Sequence, residues 1–545
     1  MWSERAVKRV SVRFAGLSAS PLFWWACFTV GFAIAAATLP TDASYDFKNY
    51  HFYNGFAALH DRRGLDIAPA QLQTSFFYGL DVVYYCIFAG LNDHPTLINV
   101  LLSIPYSAAA TTLFLMARLF ARPAFAWPNL ASAAAAVFGL TGASTLPTLA
   151  TTDSGVVPGL AILIALARWL ALESAGRDTI WTALWLGAVA GISVGLKLTE
   201  APLFVGMAFA IAAQFATGKG SALRRALAFG LGGLIVFAAL DGAWLWGNAK
   251  AYGNPIFPLM NNVFRSDLVE PTSWTDLRFM PKTILMALFY PAYWAFHASS
   301  DVSELAMRDP RILLGSVSAV IVIVAFAARW LRERAAPPIG GFESLALFLA
   351  IAFLVSYGLW EKVWSIYRYL AIQESLSGVL VLAALPMAFG ARSKPLLVFA
   401  LFALVVVWAA RTTQYPWWER AQRGPQAVTV QAPPLESDAM VLFLDPQPYA
   451  YLIPSMPNTT RAIGVNNNLV HPGASGRLWS IIEEAVRDHH GPLWGVEDPQ
   501  DQPGAADASL SGLGLARDGE CAALITNMET AGRVRICKLR REQTQ

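Results

Sequence analysis

Long apolar stretches alternate with short polar connections along most of this sequence. Residues 21–40 and 395–410 contain no Asp, Glu, Lys or Arg, and each is long enough to cross most of a bilayer as a helix. Similar stretches recur up to residue 410, and together they predict about eleven transmembrane helices. The predicted spans lie near residues 21–39, 95–117, 124–141, 155–171, 179–196, 200–217, 226–246, 312–328, 343–359, 369–389 and 395–410.

Basic residues fall in alternate connections between these spans. The positive-inside rule assigns such connections to the cytoplasm, which puts the N-terminus inside and residues 411–545 outside after an odd number of spans. The first apolar stretch is near full span length, so we expect it to be retained rather than cleaved as a signal peptide. The expected location is the bacterial inner (plasma) membrane, with the C-terminal domain in the periplasm. The basic residues concerned are Arg5, Lys8, Arg9, Arg13, Arg118, Arg122, Arg168, Arg177, Lys219, Arg224, Arg225, Arg329, Arg332, Arg334, Arg392 and Lys394.

Two external segments, 41–94 and 247–311, are too long to be simple turns. Each contains a half-apolar stretch rich in aromatic residues, at 76–91 and 280–296. A crossing by either stretch would move every later basic connection to the other side of the membrane. We therefore expect both stretches to form helices that lie in the outer interface of the bilayer or re-enter it.

The chain changes character after residue 410, where proline, asparagine, glycine and charge return and indicate a soluble domain. Short apolar runs at 440–444 and 522–526 predict strands, and the pattern at 478–489 predicts a helix. Cys521 and Cys537 can pair in an oxidising compartment, but their spacing alone leaves the disulfide open. The expected fold class is an all-α polytopic membrane protein, residues 1–410, with a C-terminal α/β periplasmic domain, residues 411–545.

Composition supports this fold class and excludes several classes of function. Hydrophobic residues make up 55% of the chain and charged residues 14%, which is more apolar surface than one soluble core can bury, so a lipid bilayer is an expected partner. The net charge of +3 is a small balance and gives no indication of nucleic-acid binding. The sequence has no Walker, Rossmann, HExxH or paired CxxC motif, which argues against ATP-driven transport by this chain.

The stretch 42–54 leaves the first predicted span and combines carboxylates, a lysine, a histidine and aromatic rings at one depth. A carboxylate there can act as a base toward a hydroxyl group, because partial burial raises its proton affinity. Asp46, with Asn49 and Tyr50 close behind it, is the candidate. The alternative is an aromatic belt with ordinary solvated charges, which any membrane protein carries at this depth.

The position of Asp46, with Pro-Ala-Gln-Leu-Gln at 69–73 and the apolar stretch 80–91, resembles the GT-C-type integral-membrane glycosyltransferases. Members of that superfamily carry a catalytic Asp or Glu in the first external loop, and the resemblance covers roughly residues 20–410. It implies a GT-C-like domain that transfers a sugar, with inversion, from a polyprenyl-phosphate donor to a glycan, lipid or protein acceptor. Asp153 matches a second acidic residue that the family often has, and the alternative for it is a helix N-cap.

Two cations lie in other predicted outer connections. Lys197 either pairs with Glu200 or neutralises a lipid-linked phosphate, and the sequence leaves both roles open. Arg368 is suited to bind a phosphate through two parallel hydrogen bonds. Glu374, about one and a half helical turns further along, is expected to orient that polar cluster.

The expected mechanism is in-line attack of the acceptor hydroxyl on the anomeric carbon. Asp46 would take the proton, Lys197 and Arg368 would hold the leaving phosphate, and Asp153 would position the acceptor or support Asp46. No cofactor is expected: a divalent metal suits such carboxylates, but no ligand motif indicates one. The competing hypotheses are a non-catalytic lipid-linked-sugar carrier or flippase and a structural subunit of an envelope assembly. The expected substrate-binding residues are Lys197, Arg368, Glu374, Asn49, Tyr50 and Glu200.

Overall fold

The computed structural model describes residues 20–333, 340–389 and 394–542, and most of these residues are helical. Six of the basic residues used for the orientation lie outside the described residues, namely Arg5, Lys8, Arg9, Arg13, Arg334 and Arg392. The helices, in chain order, are α1 (Pro21–Thr38), α2 (Phe52–Leu59), α3 (Gly79–Gly90), α4 (Pro95–Ala121), α5 (Pro128–Leu140), α6 (Val156–Ser174), α7 (Ile180–Leu196), α8 (Ala201–Ala213), α9 (Ala222–Tyr252), α10 (Asn261–Phe264), α11 (Ile284–Phe296), α12 (Arg311–Glu333), α13 (Phe342–Val363), α14 (Ala371–Phe389), α15 (Pro395–Thr412), α16 (Arg477–Asp488) and α17 (Ala505–Leu513).

Nine helices in the described part of the chain are long and apolar enough to cross a membrane, which fits a polytopic membrane protein. The predicted number was about eleven, and each predicted stretch corresponds to a helix. However, α5 has 13 residues and α7 has 17, fewer than the roughly 20 of a full span. The difference in α5 lies mainly at its start, since the helix begins at Pro128 and not at the predicted residue 124. Helix α7 matches the predicted stretch 179–196 to within one residue. The nine are α1, α4, α6, α8, α9, α12, α13, α14 and α15, counting the single helical turns next to α8 and α14.

Helix α14 is buried along most of its length and packs against α4, α5, α6, α12, α13 and α15. A glycine allows α5 to approach it closely, since a Cβ on Gly139 would lie 2.2 Å from the carbonyl oxygen of Ser375. At the periphery, α1 and α15 leave large apolar side chains such as Leu22, Ile34 and Leu404 exposed. A bilayer can solvate this apolar surface, whereas water would not.

Connections that were assigned to opposite sides of the membrane meet at opposite ends of the bundle. At one end, Lys219 and Arg225 both contact the carboxylate of Asp178, which joins two of the basic connections. At the other end, the connection 141–155 contacts the second external segment, where Asp309 Oδ2 accepts a hydrogen bond of 2.8 Å from the backbone of Ala143. The described helix ends therefore agree with the alternation of basic residues along the sequence.

Both external segments contain the helices expected in them. The first contains α3, of 12 residues, within the stretch 76–91, and the second contains α11, of 13 residues, within 280–296. The first segment also begins with a π-helical turn, Phe47–His51, that continues into α2.

The C-terminal region is α/β, as its pattern predicted. One sheet has the strand order β3-β2-β4-β8-β5 with β6 also paired to β8, and β1 pairs with β7 separately. β2 runs parallel to β3 and β4, whereas β8 is antiparallel to β4 and β5. Cys521 and Cys537, whose pairing the sequence left open, form a disulfide with Cα atoms 4.2 Å apart. The strands are β1 (Val430–Gln431), β2 (Met440–Phe443), β3 (Arg461–Gly464), β4 (Leu493–Glu497), β5 (Leu515–Arg517), β6 (Ala522–Ala523), β7 (Ile525–Thr526) and β8 (Arg535–Arg541).

Alternate residues of β2 belong to two different hydrophobic cores. Met440 and Leu442 pack in the core that α16 covers, whereas Val441 and Phe443 belong to the core that includes the membrane helices. Successive side chains of a strand point to opposite faces of the sheet. One face of the sheet is therefore continuous with the rest of the protein.

The external segments are built into the C-terminal domain. Ile67 pairs in parallel with Ile463 of β3, and Phe257 and Leu268 belong to the core that α16 covers. The domain boundary predicted from the sequence lies at residue 410, whereas the hydrophobic core includes residues from both sides of it. Segments from three parts of the chain thus form one structural unit.

Arg62 joins the first external segment to this unit. Its buried guanidinium donates hydrogen bonds of 2.7 and 2.8 Å to the two carboxylate oxygens of Asp66. It also donates to the carbonyl oxygens of Asn458 and Thr460, at 2.8 and 2.5 Å. Asp66 in turn accepts a hydrogen bond of 2.8 Å from the backbone N–H of Ala462 in β3.

Candidate functional site

A cavity of about 600 Å³ lies where the connections at one end of the bundle meet the external segments and the C-terminal domain. Its lining combines charged side chains from several separate connections with apolar side chains such as Phe77, Leu80 and Trp244. Cavities of this size and mixed lining are typical of small-molecule sites.

Asp46 stands at the start of the π-helical turn Phe47–His51. Hydrogen bonds in such a turn span five residues rather than four, so the turn is wider than that of an α-helix. Asp46, Tyr50 and His51 all line the cavity, and the Tyr50 hydroxyl lies 3.5 Å from Asp46 Oδ2. Single π-helical turns are frequent at functional sites, and nothing in the sequence had indicated this one.

Asp153 lies near the end of the connection 141–155 and also lines the cavity. Asp42 fixes this part of the connection, because its Oδ2 accepts hydrogen bonds of 2.8 Å from both the backbone N–H and the hydroxyl of Thr152. The N-cap residue of α6 is Gly155, so Asp153 does not have the helix-capping role that was its alternative. Its carboxylate is instead directed toward other charged groups.

Glu374 fixes the first part of the same connection. It is fully buried, and its carboxylate accepts hydrogen bonds from the backbone of Ser144 at 3.0 Å and from the backbone and hydroxyl of Thr145 at 3.1 and 2.9 Å. It is not among the described residues that line the cavity. This position makes Glu374 an anchor for the connection and does not support the substrate-binding role predicted for it.

Arg420, which follows the last span, binds the connection from the side of the C-terminal domain. Its guanidinium donates to the carbonyl oxygens of Pro147 at 3.0 Å, Leu149 at 2.8 Å and Ala150 at 3.2 Å. It also donates to Pro40 at the end of the first span, at 3.3 Å. The backbone around Asp153 is therefore held by groups from distant parts of the chain.

Arg368 connects the carboxylates of the cavity. Its Nη1 donates hydrogen bonds to Asp46 Oδ2 at 2.6 Å and to Asp153 Oδ2 at 2.9 Å. Its Nη2 lies 3.2 Å from Oε1 of Glu304, a residue to which the sequence had assigned no role. Three carboxylates thus surround one guanidinium.

This arrangement has opposite effects on the two aspartates. Burial alone would raise the pKa of Asp46, but the Arg368 guanidinium, assisted by Lys197, outweighs burial and lowers the pKa to about 2. Burial, opposed by Arg368 and reinforced by the charge of Asp46, raises the pKa of Asp153. The expectation that burial would raise the proton affinity of Asp46 was therefore wrong, because it did not include the contact with Arg368.

Lys197 reaches the same cluster. Its Nζ lies 3.6 Å from Asp153 Oδ1 and 5.7 Å from the ring centre of Tyr369. Among the described residues it forms no ion pair with Glu200, which is buried, lies outside the cavity lining and packs beside Gly159. Of the two roles that the sequence left open for Lys197, pairing with Glu200 is therefore not found.

Asn49 is not among the described residues that line the cavity, although its neighbour Tyr50 is, because adjacent residues of a helical turn face different directions. Its Nδ2 donates a hydrogen bond of 3.1 Å to Oε1 of Gln73, and the residue is fully buried. The predicted residues that line the cavity are Asp46, Asp153, Lys197, Arg368 and Tyr50, and those outside its described lining are Asn49, Glu200 and Glu374.

His51 and Asp81 form a pair that the sequence analysis missed. His51 Nδ1 lies 2.6 Å from Asp81 Oδ1, and both residues are buried and line the cavity. His51 Nε2 has no hydrogen-bond partner in the described part of the chain. An acidic residue within the apolar stretch 76–91 was the available signal for Asp81, but the sequence does not show that it meets a histidine 30 residues earlier.

Three side chains of the kinds that can ligate a metal ion also lie close together here. A ring nitrogen of His51 and carboxylate oxygens of Asp46 and Asp153 lie within 4.8 Å of one another. Arg368 already bridges these two carboxylates through hydrogen bonds, and a metal ion would have to displace its guanidinium. The geometry fits Arg368 as the cation that these carboxylates bind.

Comparisons with known proteins provide no relative for this chain. No protein-family model matches it, and neither the curated proteins nor the solved structures contain a match. The function has to be inferred from the contacts within the cavity.

Proposed function

We propose that the chain is a GT-C-type glycosyltransferase that moves a sugar from a polyprenyl-phosphate donor to an acceptor hydroxyl, with inversion at the anomeric carbon. The observation that carries the proposal is the composition of one cavity. Carboxylates, an imidazole and two cations contact one another there, beside apolar side chains that include Trp244 of a candidate membrane span. A sugar linked to lipid through phosphate requires a base, cations and an apolar surface within reach of one another.

Lys197 and Arg368 are the residues proposed to bind the donor phosphate. The planar guanidinium of Arg368 matches two phosphate oxygens, and Lys197 supplies a compact charge from the facing connection. Arg368 already contacts three carboxylates, so phosphate binding is an exchange of partners in which one or more carboxylates are released. Asp153, next to both cations, would position the acceptor, which can be a glycan, a lipid or a protein.

Asp46 is the base that the family resemblance implies, but its contact with Arg368 limits this role. A carboxyl group with a pKa of about 2 is a weak proton acceptor at neutral pH. Donor phosphate that draws Arg368 away would raise the pKa of Asp46 and strengthen it as a base.

We also propose that the cavity faces the periplasm of a bacterial inner membrane, with about eleven spans and a cytoplasmic N-terminus. The basic residues Lys219 and Arg225 lie at the opposite end of the bundle from the cavity, as the positive-inside rule requires. The disulfide between Cys521 and Cys537 suits an oxidising compartment. Alkaline phosphatase fused after Gln545 should be active, and an inactive fusion alongside an active cytoplasmic reporter would contradict this orientation.

Deletion of the gene tests the function. The deletion strain should lose one envelope glycan and accumulate its lipid-linked sugar, both identified by mass spectrometry. The wild-type chain should restore the glycan, whereas Arg368→Gln at matched membrane abundance should not. Arg278→Gln is the control, because Arg278 lines the same cavity but is exposed and pairs with Asp276 two residues away. An unchanged set of glycans in the deletion strain would refute the proposal.

Lys197→Met tests the phosphate site separately. This variant should retain less of the accumulated lipid-linked sugar during purification, with membrane abundance close to wild type. Unchanged retention with a collapse in abundance would make Lys197 a structural partner of Asp153. Normal glycan levels in a strain with Asp46→Asn and Asp153→Asn combined would contradict the roles proposed for both carboxylates.

A further inference from the structure

We propose that His51, oriented by Asp81, is the group that takes the proton from the acceptor hydroxyl. The inference rests on the proposed glycosyl transfer and identifies the base within the same cavity. Asp46 then serves as a partner of Arg368 and as a charge that stabilises the protonated imidazole.

His51 has one ring nitrogen engaged and one available. Nδ1 lies 2.6 Å from Asp81 Oδ1, and an Nδ1–H that donates to this carboxylate leaves the lone pair on Nε2. Nε2 is buried without a hydrogen-bond partner among the described residues, in a side chain that is 7% exposed. Leaving a buried acceptor unsatisfied is unfavourable, so a cavity-lining acceptor of this kind is suited to be completed by a ligand.

The local sequence holds this pair in place. A Cβ on Gly55 would lie 2.2 Å from the carbonyl oxygen of Asp81, so glycine allows α2 and α3 to touch through their backbones. Asp81 lies in the first turn of α3, where the helix dipole stabilises a carboxylate. The ring of Tyr84 packs edge-on against the imidazole, with ring centres 5.6 Å apart. The orientation of His51 is therefore fixed on two sides.

His51 also lies beside the groups proposed to bind the substrates. One of its ring nitrogens is within 4.8 Å of carboxylate oxygens of Asp46 and Asp153. These negative charges stabilise an imidazolium once it has taken a proton. Asp46 is less suited to take the proton, because its Oδ2 already accepts a hydrogen bond of 2.6 Å from the positively charged Arg368. A histidine oriented by a buried carboxylate is the arrangement that activates hydroxyl groups in hydrolases.

The reaction step is balanced in atoms and charge. The acceptor proton passes to His51 Nε2 as the acceptor oxygen forms its bond to the anomeric carbon. The bond between that carbon and the phosphate oxygen breaks, and its electron pair leaves with the polyprenyl phosphate near Lys197 and Arg368. The imidazolium then releases its proton to solvent, which restores neutral His51 for the next cycle.

The test uses the full-length protein in membrane vesicles. The polyprenyl-lipid fraction extracted from the deletion strain supplies the donor, and the glycan-deficient envelope fraction of the same strain supplies the acceptor. His51→Ala should lower the rate of transfer by about 10²–10⁴-fold, and added imidazole should restore part of the rate. His51→Gln, which fills the space better, should show the loss without the rescue. His60→Ala is the matched control, because His60 follows α2, is exposed and bonds to the Phe56 carbonyl oxygen, and it should transfer at the wild-type rate.

Three results would overturn the inference. The first is wild-type transfer by His51→Gln. The second is rescue of Asp46→Ala by formate without imidazole rescue of His51→Ala, which would identify Asp46 as the base. The third is loss of wild-type transfer in EDTA that a divalent cation restores, which would make His51 a metal ligand. Failure of the proposed function itself is distinguishable, because the deletion strain would then lose no glycan.

Discussion

Arg62→Met should weaken the attachment of the first external segment to the C-terminal domain. Methionine approximates the length of the side chain but removes its charge and its donors. Asp66 would keep its hydrogen bonds from the Tyr53 hydroxyl at 2.9 Å and the Ala462 backbone at 2.8 Å, yet it would lose its cation in a buried position. Removing one partner of a buried ion pair costs about 3–5 kcal/mol, because the remaining charge is uncompensated.

The neighbouring residue provides a matched control. Arg63 is exposed and stacks over the ring of Tyr78 at 3.8 Å, so Arg63→Met should cost less than about 1 kcal/mol. The double variant Arg62→Met/Asp66→Leu removes both buried charges together. It should recover only part of the stability that Arg62→Met loses, because it removes the uncompensated charge but leaves the Tyr53 hydroxyl and the Ala462 N–H without this acceptor.

Thermal unfolding of the purified protein in detergent, followed by tryptophan fluorescence, measures these differences. Arg62→Met should lower the Tm by several degrees and expose the segment 41–94 to protease before the membrane helices unfold. Equal Tm values for Arg62→Met and Arg63→Met would refute the reasoning. They would mean that the first external segment is held by its apolar contacts and not by the buried charge.

Three further changes test the site and the packing. Because the pKa of Asp46 is about 2, its carboxyl is ionised throughout the range from about pH 4 to 8. The pH profile of kcat/KM over this range should therefore contain no step caused by Asp46, and the profile of Asp46→Asn should have the same shape as that of the wild type. Glu374→Gln should lower the free energy of unfolding by about 1–3 kcal/mol, while the purified protein retains the lipid-linked sugar normally. Weaker retention at an unchanged Tm would instead support the substrate-binding role predicted for Glu374. Gly139→Ala places a Cβ 2.2 Å from the Ser375 carbonyl oxygen and should lower the free energy of unfolding by about 1–3 kcal/mol. Gly358→Ala is the control and should not destabilise the protein, because its Cβ would have no atom within 4 Å. Equal Tm values for the two variants would contradict the close packing of α5 on α14.

The helices of the membrane region could be located from hydropathy because each apolar stretch is a local property of the sequence. Hydropathy did not show that α5 begins only at Pro128, because residues 124–127 are apolar but lie outside the helix. It also could not show that Ile67 pairs with Ile463 or that Phe257 enters the core of the C-terminal domain. Contacts between residues hundreds of positions apart leave no local pattern.

Residues at the ends of apolar stretches were enough to predict the candidate site. The predictions that were wrong failed for geometric reasons. Glu374 follows Arg368 by six positions, and six helical residues rotate a side chain by about 240°, so the two face different surroundings. Lys197 and Glu200 would be neighbours on a continuous helix, but Lys197 has an extended backbone. The depressed pKa of Asp46 depends on a guanidinium 322 residues away, which only the folded chain reveals.

Arg420 sets the order in which the protein can be completed during synthesis. The carbonyl groups that it binds around Leu149 are translated 271 residues earlier, so they wait for their partner while most of the membrane helices insert. At roughly 5–20 residues per second, the delay is on the order of tens of seconds. The connection that carries Asp153 acquires its final shape only after the last span has emerged from the ribosome. A chain whose translation stops before this point has its membrane helices but an unfinished cavity, and should be inert.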